Sequence, residues 1–342
     1  MHDTSRAVTL ALMVCALALA LFPLSGSTFY MQLLTKVMIL AIFAMSLDLL
    51  VGYTGLVSLG HAAFFGLAGY VLALLTPKYD PMSLFITLPA ALAACALFAL
   101  ITGALVLRTR GIYFIMVTLA FAQMVYFVFH DTKLGGGSDG LYINSKPLVG
   151  WGETGLIDLE NKTVFYYTVL ALMIVVYALL RRILQSSFGR ALQGIRVNEH
   201  RMRAIGYPVF RYQLGVYVLA GTLGGLAGYL SAAQFGFVNP EIISWHQSGA
   251  VLMMVILGGM GTLAGPVFGA FVFVLLEELF KDDTVFGPIA KHWQLMMGAL
   301  IVLVACFLPR GLIGLGQVFG RTARGSVGGT SPALSKQESP DA

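Results

Sequence analysis

Apolar stretches of about the length needed to cross a bilayer recur from one end of the chain to the other, and they constrain its fold more than any other feature. A helix spanning about 30 Å of hydrocarbon needs roughly 20 mostly apolar residues, with every backbone N–H and C=O satisfied inside the span. Ten such stretches run approximately over 7–24, 31–51, 56–75, 84–107, 111–130, 163–182, 212–234, 246–260, 262–280 and 290–308. With 58% hydrophobic and only 11% charged residues, and a mean hydropathy of +0.84, the chain is not an ordinary soluble domain. The predicted fold is all-α, a polytopic bundle of about ten transmembrane spans.

The first stretch follows Met-His-Asp-Thr-Ser-Arg and has small residues between Pro23 and Ser27, which gives it some likeness to a secretory signal. It is read here as a retained helix. With the N-terminus in the cytoplasm and ten alternating spans, every arginine from Arg6 to Arg324 falls on the cytoplasmic side, as does the C-terminus. The opposite side receives Lys78, Lys133, Lys146, Lys162, Lys281 and Lys291 and no arginine. The net charge of +5 is thus spent on topology, and no nucleic-acid partner is implied. Cys15, Cys95 and Cys306 are far apart in apolar stretches, so neither a disulfide framework nor a metal site is expected.

These spans place a transmembrane domain over 1–310, with an outer, periplasmic loop over 131–162 and a cytoplasmic loop over 185–211. Residues 311–342 form a cytoplasmic tail, expected to be disordered from about 320 because its composition buries too little apolar surface. In the inner loop, Leu192, Ile195, Met202 and Ile205 fall on one helical stripe, while Arg196, His200, Arg201 and Arg203 lie outside it. Gly206 supplies a stop, with Pro208 just beyond. A short amphipathic helix follows, suited either to anionic headgroups or to a groove on a soluble partner.

Glycine-rich interruptions occur at 52–61, 135–140 and 258–266. Broken helices inside a membrane persist where they are enclosed in protein or line a wet cavity. Gly52, Gly55, Ser58, Gly60, His61, Gly258, Gly259 and Gly261 are therefore candidates for a translocation path. Close helix packing through small residues is the competing explanation. Gly66-Leu-Ala-Gly-Tyr70 recurs as Gly225-Leu-Ala-Gly-Tyr229, a weak hint of internal duplication.

Ionisable residues within spans are few: Lys36, Asp48, His61, Glu277 and Glu278. They form no buried series of acids of the kind a proton relay needs, and Asp48 and His61 read as satisfied polar groups near a helix break. There is no G-x-x-x-x-G-K-[ST] sequence for nucleotide phosphates, no His-Glu-x-x-His helix and no G-x-S-x-G elbow. No catalytic residues are expected, and no ATP site on this chain.

Three motifs in order, Gly52-Tyr-Thr-Gly-Leu-Val-Ser-Leu-Gly-His-Ala-Ala-Phe-Phe-Gly-Leu-Ala-Gly-Tyr70, Gly136-Gly-Ser-Asp-Gly-Leu141 and Gly258-Gly-Met-Gly-Thr-Leu-Ala-Gly-Pro-Val-Phe-Gly-Ala270 followed by Leu276-Glu-Glu278, resemble the branched-chain amino acid ABC permeases of the LivM type. The resemblance covers about 30–315. It implies an inner-membrane importer in which this chain pairs with a second, LivH-like permease, two cytoplasmic ATPases that hydrolyse the ATP, and a periplasmic substrate-binding protein. It also implies that the inner helix couples to the ATPase through Glu199, Met202, Ala204, Ile205 and Gly206. Glu199, Ala204 and Gly206 match the family's loop, whereas Arg201 and Met202 stand in place of its paired alanines. Related permeases take urea, short amides or other small organic acids, and a non-transporting membrane scaffold is the alternative of another class.

Overall fold

The computed structural model describes residues 6–25, 27–77, 82–151, 154–157, 159–308, 311, 312 and 314. The disorder expected from about 320 lies outside the described residues. Helices dominate: α1 (Arg6–Leu21), α2 (Thr28–Thr54), α3 (His61–Leu75), α4 (Leu84–Val106), α5 (Ile112–Asp131) and α6 (Lys162–Gln185) lead to two short helices, α7 (Ser187–Val197) and α8 (Glu199–Ala204). The chain continues through α9 (Val209–Phe235), α10 (Trp245–Gly258), α11 (Gly265–Lys281), a single turn α12 (Asp283–Phe286) and α13 (Trp293–Phe307). Within the predicted outer loop lie the short strands β1 (Leu141–Tyr142), β2 (Val149–Trp151) and β3 (Thr154–Ile157); β2 and β3 pair antiparallel with each other, and β1 pairs antiparallel with β4 (Phe237–Val238), which follows α9.

Among the described residues, six segments are long and apolar enough to cross a membrane: α2, α4, α5, α6, α9 and the stretch Asp283–Phe307. The chain is thus an all-α, multi-pass membrane protein. The shorter apolar helices α3 and α10 are each bounded by glycine at one end, Gly60 before α3 and Gly259 after α10. The third predicted stretch began at 56, yet α3 starts at His61. Gly55 adopts the left-handed conformation (φ 74°, ψ 13°), and the N–H groups of Gly55 and Leu56 both return to the Leu50 carbonyl, closing α2. Likewise α10 stops at Gly258 instead of reaching 260.

α2 and α9 form the centre of the bundle and are buried along most of their length, whereas α4, α5 and α13 expose apolar side chains outward. α3 lies against α9. A Cβ placed on Gly221 meets Phe64 and one on Gly225 meets Ala68, while one on Gly228 meets Phe65 and one on Gly69 meets Ala232; within each of these two rows the position numbers rise together, so the pair runs parallel. Small residues let the two backbones approach closely. The repeated pentapeptides have unlike surroundings: Tyr70 stacks on Phe129 at 4.0 Å, while the Tyr229 hydroxyl and Thr87 Oγ1 lie 2.7 Å apart in a hydrogen bond.

A side chain at Gly228 has nowhere to go, since its Cβ sits 2.7 Å from Phe65 Cα. Gly228→Val is expected to cost about 1–3 kcal/mol or more through overpacking, read as a lower thermal midpoint in detergent. Gly249→Ala, where nothing lies within 4 Å, leaves the midpoint at or slightly above wild type.

Candidate functional site

The predicted amphipathic helix is two helices, and this corrects the single stripe. Asn198 takes an extended backbone (φ −158°, ψ 99°) that ends α7, and its side-chain oxygen then accepts the Arg201 N–H at 2.9 Å to cap α8. Leu192 and Ile195 are buried in the bundle and anchor α7. Met202 is half-buried beside Gly194, while Ile205 is 65% exposed, with Ala204 and Gly206 exposed around it. Glu199 accepts from Arg203 at 2.5 Å and from Arg110 at 3.2 Å, tying α8 to the α4–α5 connection. Gly206 has φ +94°, which explains glycine at that stop.

Beneath α7 the two inner glycine motifs meet. Asp48 of α2 is buried, and its Oδ1 accepts the N–H of Gly261 at 2.9 Å, fastening α2 to the α10–α11 turn. Arg196, at the end of α7, donates to the Gly52 carbonyl in the last turn of α2, a carbonyl with no partner further along its own helix. Backbones are in contact here: a Cβ at Gly52 would lie 2.7 Å from Gly261 Cα, and one at Gly258 would lie 2.5 Å from the Gly265 carbonyl carbon. Gly259 is buried in the same contact, Gly60 is buried against Thr118 of α5, and Gly55 is exposed on the α7 side, 3.6 Å from Arg196 when given a Cβ.

At the start of α3, His61 is fully buried, with Nε2 2.8 Å from the Ser46 hydroxyl and its ring stacked on Phe43 at 5.4 Å. Its Nδ1 and Asp48 Oδ2 have no partner among the described residues, so each is satisfied on one side only. Ser58 accepts the Gly60 N–H at 3.3 Å, and Ser248 of α10 accepts the Ala62 N–H at 2.9 Å. The sequence motifs thus form a closed, packed junction at the face that carries α7 and α8.

A large open space lies at the other end of the same helices. A cavity of about 1330 Å³ is walled by α2, α5, α9, α10, α11 and α13, and none of the eight path candidates lines it. Its lining includes Lys36, Gln123, Trp245 and Glu277, and a neighbouring space of about 360 Å³ is reached past Gln234 and Phe235. Sequence reasoning named Lys36 and Glu277 among the ionisable span residues but assigned them to no path, and it passed over Gln123 and Trp245, which carry no charge. It missed Arg196 as a link because its partner, Gly52, is distant in sequence.

The family model described as the branched-chain amino acid transport system permease component matches residues 29–305. The high-affinity branched-chain amino acid transport system permease protein LivM of Salmonella typhimurium is 32% identical over 324 residues, covering 89% of this chain and 74% of that protein. LivM of Escherichia coli is 32% identical over 323 residues, covering 89% and 73%. The fructose import permease protein FrcC of Rhizobium meliloti is 25% identical over 320 residues, covering 89% and 85%. No solved structure matches the chain. With a family model spanning most of the sequence, and relatives of this identity and coverage, the chain belongs to the family of branched-chain amino acid transport permease components.

Proposed function

We propose that this chain is the membrane-spanning permease subunit of an ATP-driven importer carrying branched-chain amino acids across the inner membrane. The observation that carries the reading is the 32% identity to two LivM permeases across 89% of this chain. The lower identity of 25% to FrcC favours an amino acid over a sugar. Partners are a second, LivH-like permease, two cytoplasmic ATPases and a periplasmic substrate-binding protein. ATP is hydrolysed on the ATPases, for which this chain has no phosphate-binding glycine–lysine loop.

All ten apolar helices lie in the membrane, and both termini are cytoplasmic, an orientation supported by the one-sided arginines. Residues 1–310 are the permease domain, with 131–162 outside, 185–211 as the coupling loop, and 311–342 as a cytoplasmic tail. Glu199, Met202, Ala204, Ile205 and Gly206 form the ATPase-coupling surface, a role supported by the exposure of Ile205 on a helix held by ion pairs. Gly52, Gly55, Ser58, Gly60, His61, Gly258, Gly259 and Gly261 form the cytoplasmic closure of the path.

Coupling then has a physical route. Closure of the ATPases moves α8 and, through the anchored α7, the Arg196 guanidinium that holds the end of α2. Release there loosens the Gly52–Gly261 contact and the Asp48 bond, opening the cytoplasmic side as the outer cavity closes.

Deleting the gene is expected to lower ATP-dependent uptake of radiolabelled leucine at least tenfold. Urea and a short amide are measured in parallel, with ATP depletion as the control. Intact leucine uptake with loss of another solute would replace the substrate; no defect in any solute would favour a scaffold.

A further inference from the structure

Lys36 lies eight residues into α2, about 12 Å along the helix at 1.5 Å per residue, and Glu277 lies one turn from the end of α11. Both line the outer cavity. The Lys36 ammonium stands 4.0 Å from Glu277 Oε2, a loose pair at the limit of contact, with the side chains 31% and 14% exposed. Glu277 Oε1 is held separately by Lys281 at 2.6 Å, and that ammonium rests 4.3 Å over the Trp293 ring. The carboxylate is therefore fixed by one oxygen while the other faces the cavity and Lys36.

Ionisable side chains inside membrane helices are expensive and mark pathways when they pair across a wet space. Here a cation and an anion from facing helices share a cavity whose remaining wall includes Phe65, Trp245 and Phe273. Resting on the reading of this chain as an amino-acid permease, we infer that Lys36 and Glu277 receive the zwitterionic head group of the passing substrate. Lys36 takes the α-carboxylate and Glu277 Oε2 takes the α-ammonium, while the apolar side chain lies on the aromatic wall. Each new ion contact replaces half of an existing one, so the exchange leaves net charge unchanged and gains little free energy. That suits a passage that must release what it accepts. Neutral solutes such as urea, amides or sugars offer nothing to break the pair.

The test uses the complete importer in cells, with radiolabelled leucine uptake, membrane insertion and ATPase co-purification measured for each variant. Lys36→Met and Glu277→Gln are each expected to lower uptake at least tenfold while the permease inserts and co-purifies. The double variant Lys36→Met/Glu277→Gln is decisive. It removes both members of the pair together, and the Lys281 ammonium that loses Glu277 is 40% exposed and keeps its place over Trp293; removing both members of an ion pair is often neutral for stability whereas removing one is not. If the pair only clamps α2 to α11, the double variant recovers uptake to within twofold of wild type, which overturns the inference. If the pair reads the zwitterion, the double variant stays at least tenfold down. Failure of the substrate reading shows instead in the wild type, as absent leucine uptake, and removes both.

Discussion

Gly206→Pro is expected to reduce co-purification of the ATPase at least tenfold and to bring leucine uptake to background, with the permease still inserted in the membrane. The glycine sits at φ +94°, its N–H donates to the Arg203 carbonyl at 2.9 Å, and the next N–H, of Tyr207, donates to Met202 at 3.1 Å. Proline fixes φ near −65° and has no N–H, so the turn that ends α8 cannot form. Nothing lies within 4 Å of a Cβ here, so the effect is conformational and the bundle beneath is untouched. The double change Met202→Asp/Ile205→Asp reaches the same result by chemistry. Ile205 is 65% exposed and contributes little to the fold, yet burying it in a partner's groove is worth about 1.5–3 kcal/mol. Undiminished ATPase capture by both variants would sink the docking role of α8.

The second large effect is expected at the glycine junction. Gly52→Val should abolish uptake, by more than tenfold, and lower the thermal midpoint in detergent, while the ATPase continues to co-purify because α8 is unaffected. The reason is the absence of anything soft to displace. The added Cβ meets Gly261 Cα at 2.7 Å, with the Gly261 nitrogen and the Asp48 carboxylate closer still. Backbone must move, at about 1–3 kcal/mol for overpacking, and with it the hydrogen bond from Gly261 to Asp48. Wild-type uptake in Gly52→Val would mean that the junction is not the closure of the path.

Much of the bundle was legible because its signal is long and uninterrupted. α4, α5 and α6 fall within three residues of the predicted stretches at each end, where apolar runs meet a loop. Ends set by glycine were less so, since Gly55 and Gly258 stop helices whose neighbours remain apolar. The break at Asn198 was hidden for a different reason. The stripe of Leu192, Ile195, Met202 and Ile205 keeps helical spacing across it, and the break shows only in the extended backbone of Asn198 and in the burial of the first two against the bundle. The glycine motifs fit either a path or close packing when read in one dimension. Packing is what the Gly52–Gly261 contact displays, and polar lining is found instead at the other end of the bundle. The Lys36–Glu277 pair joins opposite ends of the chain, so no local pattern carries it.

The enclosure of α2 by later helices sets an order of events during biosynthesis. Its main companion α9 begins at Val209, 155 positions after Thr54 (209 − 54), and at 5–20 residues per second the ribosome needs roughly 8–30 s to supply it. Through that interval α2 waits in lipid on flanks that protein will later cover, which its nearly all-round apolar surface permits. α9 meets the opposite circumstance: it is the least apolar of the six long spans. Its glycines match a groove already made by α2, α3 and α4, so the nascent bundle serves as the solvent into which its last central helix is delivered.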